Sequence, residues 1–182
     1  MQFLSFSLNG LDYGIPLEDV VTIESRKDVL MVPTAPAHIR GIVKRHGELI
    51  PVFSLTSRFG MPDGPMESLV IVKTEGMKLG LEVGKVKAIK DVGGTDVLPM
   101  PAIMGGVRNC FNDVASLQKE LVVLVDVNEL LTDEERELIR RLVDDAEEKE
   151  AEERRQKEEE ERRKKEEAKR AREEAARKEG GQ

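Results

Sequence analysis

The sequence predicts a mainly β fold, a duplicated small twisted sheet closing into two barrels of five or six strands, followed by a long charged α-helix. Three observations predict it. Alternating apolar residues flank Asn9-Gly10, the chain matches itself at a shift of 66 residues, and the last 39 residues hold no apolar side chain larger than alanine. Period-two alternation around a two-residue turn is the signature of a hairpin, and a fixed-period match is that of a duplicated unit.

Leu4, Phe6 and Leu8 alternate with serines, Asn9-Gly10 supplies the positive-φ pair of a tight turn, and Leu11, Tyr13 and Ile15 alternate on the return. Pro16 opens Leu17–Ile23, in which Leu17, Val20 and Val21 stand at helical spacing, so a turn or two of helix is expected there. Leu30-Met31-Val32 reads as a brief strand ended by Pro33 and Pro36. A second hairpin runs from Ile39 to Phe53 with His46-Gly47 at its turn and Pro51 at an edge or bulge position. Leu55–Phe59 is a single helical turn.

The pattern then restarts. A shift of 66 puts Gly10 on Gly76, Gly14 on Gly80, Ile15 on Leu81, Val20 on Val86, Ile23 on Ile89 and Pro33 on Pro99 without a gap. One deletion brings Gly41 to Gly106, and an insertion brings Glu48-Leu49-Ile50 to Glu120-Leu121-Val122. The insertion is assigned to Phe111–Lys119, as a longer hairpin connection. The expected division is a first barrel at about 1–65 and a second at about 66–131, intertwined at the termini. Units of this size bury too little apolar surface to stand alone, so they share an interface.

Thr132-Asp133-Glu134-Glu135 forms a capping box, and Leu138, Ile139, Leu142 and Val143 give a short stripe that docks on the second barrel over 133–143. From 144 to 182 the chain carries 13 basic and 16 acidic residues, and Glu precedes Lys or Arg by four positions nine times. Such pairs each add roughly 0.2–0.5 kcal/mol to a helix. A helix from Asp133 to Lys178 spans ~69 Å at 1.5 Å per residue, stopped by Gly180-Gly181. Heptad positions hold no Leu, Ile or Val, which argues against a coiled coil, and a fraying charged tail is the competing reading.

Composition excludes several classes. A pI near 5.1 argues against a nucleic-acid binder, which draws its affinity from basic residues on phosphates. The apolar runs are far too short for a membrane span and no basic leader follows Met1, so a cytoplasmic, soluble protein without direct membrane insertion is expected. One cysteine and two histidines are too few for a disulfide or a closed zinc site, and Cys110 reads as a small buried hydrophobe in a strand. No catalytic residue, metal site or cofactor is assigned. Gly93-Gly94 and Gly105-Gly106 lack the Lys-Ser/Thr of a phosphate loop, and His38 reads as an ordinary loop residue. The enzymatic alternative is a small hydrolase using His46 and Glu48.

Two features point to binding. Lys44-Arg45-His46-Gly47 is a basic tip on an acidic body, explained by a solvated hairpin end or by docking to an acidic partner. Val20 and Ile23 correspond to Val86 and Ile89, either as core or as equivalent apolar ridges flanking a groove for an amphipathic helix.

The ordered blocks Phe3–Gly10, Tyr13–Pro16, Val20–Ile23, Val32–Pro36, Ile39–Val43, Gly47–Val52, Leu79–Val83 and Leu121–Leu131 resemble a CheW-like domain over about residues 1–135. That resemblance implies two five-stranded SH3-like barrels with a groove between them. It also implies a non-enzymatic adaptor joining chemoreceptor cytoplasmic tips to the regulatory domain of a CheA-type histidine kinase. Val20, Ile23, Gly41, Val86 and Ile89 match positions implicated in partner contact, with Val43, Lys44, Arg45 and His46 beside them and Thr22 in the same block. His46 replaces the usual receptor-contacting arginine, Thr22 an acidic residue, and Gly84 an aspartate. The helix beyond Asp144 is no part of the family core and is expected to act as a spacer or to contact a further protein. The alternative within the binding class is a scaffold of a polarity or motility complex detached from chemoreceptors.

Overall fold

Each turn expected from the sequence joins two strands in the computed structural model, which describes residues 1–25, 29–33, 35–100, 110–111, 113–117 and 120–179. Strand β1 (Gln2–Leu8) pairs with β2 (Leu11–Pro16) across Asn9-Gly10, whose φ values of 49° and 82° match the turn's demand. Strands β4 (Ile39–Arg45) and β5 (Glu48–Ser54) meet the same way across His46-Gly47, at 48° and 84°. Pro51 lies in an interior strand, one residue before β5 begins pairing with a second neighbour, so its missing N–H removes no bond on that side. Ser54 caps the single-turn helix α1 (Leu55–Arg58), its Oγ accepting from the Ser57 N–H at 3.2 Å.

The helix expected at Leu17–Ile23 is a strand. Only Leu17–Asp19 makes a 3₁₀ turn; Val20–Ser25 forms β3, paired with β6 (Ser68–Thr74). Cross-strand pairing overrides the helical spacing of three apolar residues. The strand expected at Leu30–Val32 shrinks to one bridge between Leu30 and Ile42.

The repeat is exact in the first three strands. β6, β7 (Met77–Val83) and β8 (Val86–Asp91) start 66 residues after β1, β2 and β3. β9 (Val97–Pro99) follows, then β10 (Asp113–Leu117) and β11 (Glu120–Leu124), with β11 starting 72 residues after β5. Leu117 pairs with Glu120 as Arg45 pairs with Glu48, so the insertion does not lengthen the hairpin. The six extra residues precede it. The Gly41–Gly106 match and the glycine stop at 180–181 lie outside the described residues.

The two halves exchange strands. One sheet runs β8-β1-β2-β11-β10-β9 and the other β3-β6-β7-β5-β4, so each takes its first hairpin from one copy and the remaining strands from the other. Neither barrel is 1–65 or 66–131, and the exchange goes deeper than the termini. Three cores result. One barrel packs Phe3, Val92, Ala115, Val122 and Leu124, and the other Val43, Ile50, Val52, Leu69 and Ile71. Shifts of 66 or 72 put Phe3 on Leu69, Val43 on Ala115, Ile50 on Val122 and Val52 on Leu124. The third and largest core holds Phe6, Tyr13, Phe53, Val72 and Leu81 from strands of both sheets, so the barrels are joined by shared burial.

Helix α2 (Asp133–Glu179) starts in that core. The capping box is formed in both directions: Glu135 N–H donates to Thr132 Oγ1 at 3.1 Å, and Thr132 N–H to Glu135 Oε2 at 2.8 Å. Ile139 is buried, whereas Leu138 is exposed, which narrows the expected stripe to one face of the first turns. The chain divides into two compact units, Met1–Val143 and Asp144–Gln182. The second is a helix through Glu179, with ion pairs closed at Glu160–Lys164, Glu166–Arg170 and Glu174–Lys178 among the nine expected.

Candidate partner-binding surface

Large apolar residues are exposed at several places, among them Leu11, Leu30, Met31, Leu98 and Leu121, and a pair of them stands at equivalent positions on strands at the end of each sheet. β3 ends one sheet and β8 the other, and both are six-residue strands with the same burial pattern. Ile23 is 41% exposed and Ile89 56%, at equivalent positions in the repeat. Val20 and Val86 are half-buried against the shared core and fix the depth of each strand. The core reading therefore holds for Val20 and Val86, and the surface reading for Ile23 and Ile89. Thr22 is exposed beside Ile23, and Val21, 49% exposed, adds an apolar side chain that sequence reasoning passed over. Its match in the second copy is Lys87, so the repeat carried no signal for it.

Two of the predicted contact residues are interior. Val43 packs with Ile50, Val52 and Leu69 inside its barrel, because the alternation along β4 turns it away from solvent. Gly41 is buried at a β-bulge with φ 151°, where a Cβ would stand 2.1 Å from the Leu30 carbonyl oxygen. Its requirement is close backbone approach; Leu30 and Ile42 exchange N–H···O bonds of 2.9 Å beside it. Gly84 has the same cause: a Cβ would meet the Ser7 carbonyl oxygen at 2.6 Å.

The basic tip is less free than its composition implies. The Arg45 guanidinium, on β4, pairs with Glu24 on β3, and both side chains are largely buried. These are the two end strands of the five-stranded sheet, so the pair ties its edges together into a barrel. Lys44 and His46 remain exposed at the turn. Glu48 is held by Lys78 Nζ at 2.6 Å, so the carboxylate that a hydrolase would need is engaged on the surface.

His38 Nδ1 lies 3.0 Å from Ser57 Oγ, half-buried against Phe53, while Arg40 bridges Asp63 and the buried Glu82. This polar cluster locks β4 to β7 and the segment after α1. Cys110 is buried as expected, though in a turn before β10 instead of a strand, and desolvation pushes its thiol above the ordinary value. Among the described residues no helix is long and apolar enough to cross a membrane, and no cluster of three metal-ligating side chains occurs.

The model of the CheW-like domain family matches residues 2–135. The chain is 27% identical over 149 residues to the chemotaxis protein CheW of Treponema pallidum, covering 78% of this chain and 88% of that one. Over 108 residues it is 26% identical to protein FrzA of Myxococcus xanthus, covering 58% and 66%. The crystal structure of the scaffolding protein TtCheW from Thermoanaerobacter tengcongensis superposes with a TM-score of 0.67 at 24% identity, over 74% of this chain and 94% of that one.

Proposed function

The chain belongs to the CheW-like domain family, and from that premise we propose that it couples chemoreceptor cytoplasmic tips to the regulatory domain of a CheA-type histidine kinase. As a member it is a non-catalytic scaffold of the chemotaxis type. The supporting observation is the exposure of Ile23 and Ile89 on equivalent end strands of the two sheets. A large apolar side chain left in water on a rigid strand is a ready anchor for a helical partner. In this reading Thr22, Ile23 and Ile89 receive the receptor helix, with Val20 and Val86 anchoring their strands to the core beneath, and unpaired strand edges take up a homologous barrel of the kinase. Signal passes through geometry and occupancy, with no bond made or broken. The protein works in the cytoplasm and reaches membrane-associated arrays through its partners.

A second reading, a scaffold of a polarity or motility complex without receptor coupling, is favoured by the hairpin tip. Arg45 is engaged by Glu24, and His46 stands where the resemblance expects an arginine. Co-purification of the full chain with receptor cytoplasmic tips and CheA homologues separates the two. Binding lost in an Ile23→Glu, Ile89→Glu variant supports coupling; retention by a non-receptor partner with no affinity for any receptor tip supports the scaffold.

A further inference from the structure

The charge order of the last helical segment points to a mechanical role. Glu158–Glu161 is followed directly by Arg162-Arg163-Lys164-Lys165, so four consecutive Glu each precede a base by four residues, and Glu160–Lys164 is closed at 2.6 Å. Four consecutive residues go once around a helix of 3.6 residues per turn, so these pairs lie on every side of it instead of along one face. The ladder continues through Arg163–Glu167, Glu166–Arg170, Lys169–Glu173 and Glu174–Lys178, all at 4.0 Å or less. Residues 158–179 hold nine acidic and nine basic side chains, which leaves no stripe of one sign to attract a charged partner. The apolar residues of 144–179 are alanines, so no seam exists for a second helix either. Residues 144–153 carry seven acidic side chains against Lys149 alone, so it is 158–179 that offers neither kind of docking face; stabilised along its surface, that part is suited to holding distance.

We propose that residues 144–179 are a spacer: a solitary helix, kept straight by its ion-pair ladder, that holds what lies at its two ends about 50 Å apart at 1.5 Å per residue. Such a rod costs no core and needs no partner, because ordering is repaid locally by many small pair terms. Its contacts are exposed and therefore screened by salt. This inference does not rest on the coupling role, and co-purification through Ile23 and Ile89 tests that role separately.

The test is a distance distribution from spin labels at Ala146→Cys and Ala176→Cys in the full chain, with Cys110→Ala to remove the native thiol. A narrow peak near ~45 Å, unchanged on dilution with unlabelled protein, is expected for a lone helix. A broad distribution centred near ~30 Å, the value for a flexible chain of that length, would overturn the proposal. A second short distance that vanishes on dilution would overturn it too, by showing paired helices. Replacing Glu158–Glu161, Glu166, Glu167, Glu173 and Glu174 with glutamine keeps helix propensity and removes the ladder; broadening of the peak supports the ladder as cause, and an unchanged peak refutes it.

Discussion

Glu135 and Arg58, 77 residues apart in the chain, form a forked pair in which both guanidinium N–H groups donate to the carboxylate, at 3.0 and 2.9 Å. The same carboxylate closes the capping box of α2, so one side chain ties the end of α1 to the start of the long helix. Arg58 is only 6% exposed, so its charge has little water to fall back on.

Removing Glu135 therefore strands a buried cation. Glu135→Ala is expected to cost about 2–4 kcal/mol, toward the low end for a buried pair because Glu135 itself retains some solvent. Chemical denaturation measures it. Arg58→Met combined with Glu135→Gln should recover part of the loss, and a double variant as unstable as the single one would contradict the stranded-charge account.

Ile23→Glu and Ile89→Glu should leave the fold intact, since both side chains already face water. Thermal unfolding within about 2 °C of the parent is the expected control, together with loss of partner binding. Val43→Glu makes the contrast: burying a carboxylate in a barrel core should unfold the protein.

Deletion of residues 144–182 should remove most of the helical circular dichroism signal while moving the melting temperature by no more than about 2 °C. That segment contributes almost no apolar burial, the term on which stability chiefly depends. A large drop would show that the body leans on the tail.

The Cys110 thiol should resist a water-soluble disulfide reagent in the native state and react once unfolded. Its raised pKa also sets a sign: the unfolded thiol ionises first as pH rises, so this group lowers stability above about pH 8.5, the ordinary thiol value, and has no effect below it. Comparing Cys110→Ala with the parent at pH 7 and pH 10 isolates that contribution, and a stability gap that does not change between them would contradict it.

The hairpins at Asn9-Gly10 and His46-Gly47 and the capping box at Thr132 were readable because each is decided by a few neighbouring residues. β3 was not, because Leu17, Val20 and Val21 satisfy a helical spacing by chance and only pairing with β6 makes them extended. β10 was mistaken for a loop for a similar reason: Asp113–Leu117 is short, and its partner strands supply its order. Among the candidate contact residues, Ile23 and Ile89 were singled out through the repeat and are exposed, while Val43, Gly41 and Arg45 were placed on a surface they do not freely occupy.

Alternation, turn chemistry, capping and the four-residue charge ladder act over a few residues, so the amino-acid order was enough to establish them, and with them the β character, the duplication and the charged helix. The strand exchange is another matter. Because the two copies are equivalent, a first hairpin from either one offers the remaining strands the same pattern, and nothing local prefers its own copy to the other. Closing three cores at once decides it, and that closure also decides that Val43 points inward, that Ile23 stays in water, and that Arg45 meets Glu24 across the seam of the barrel.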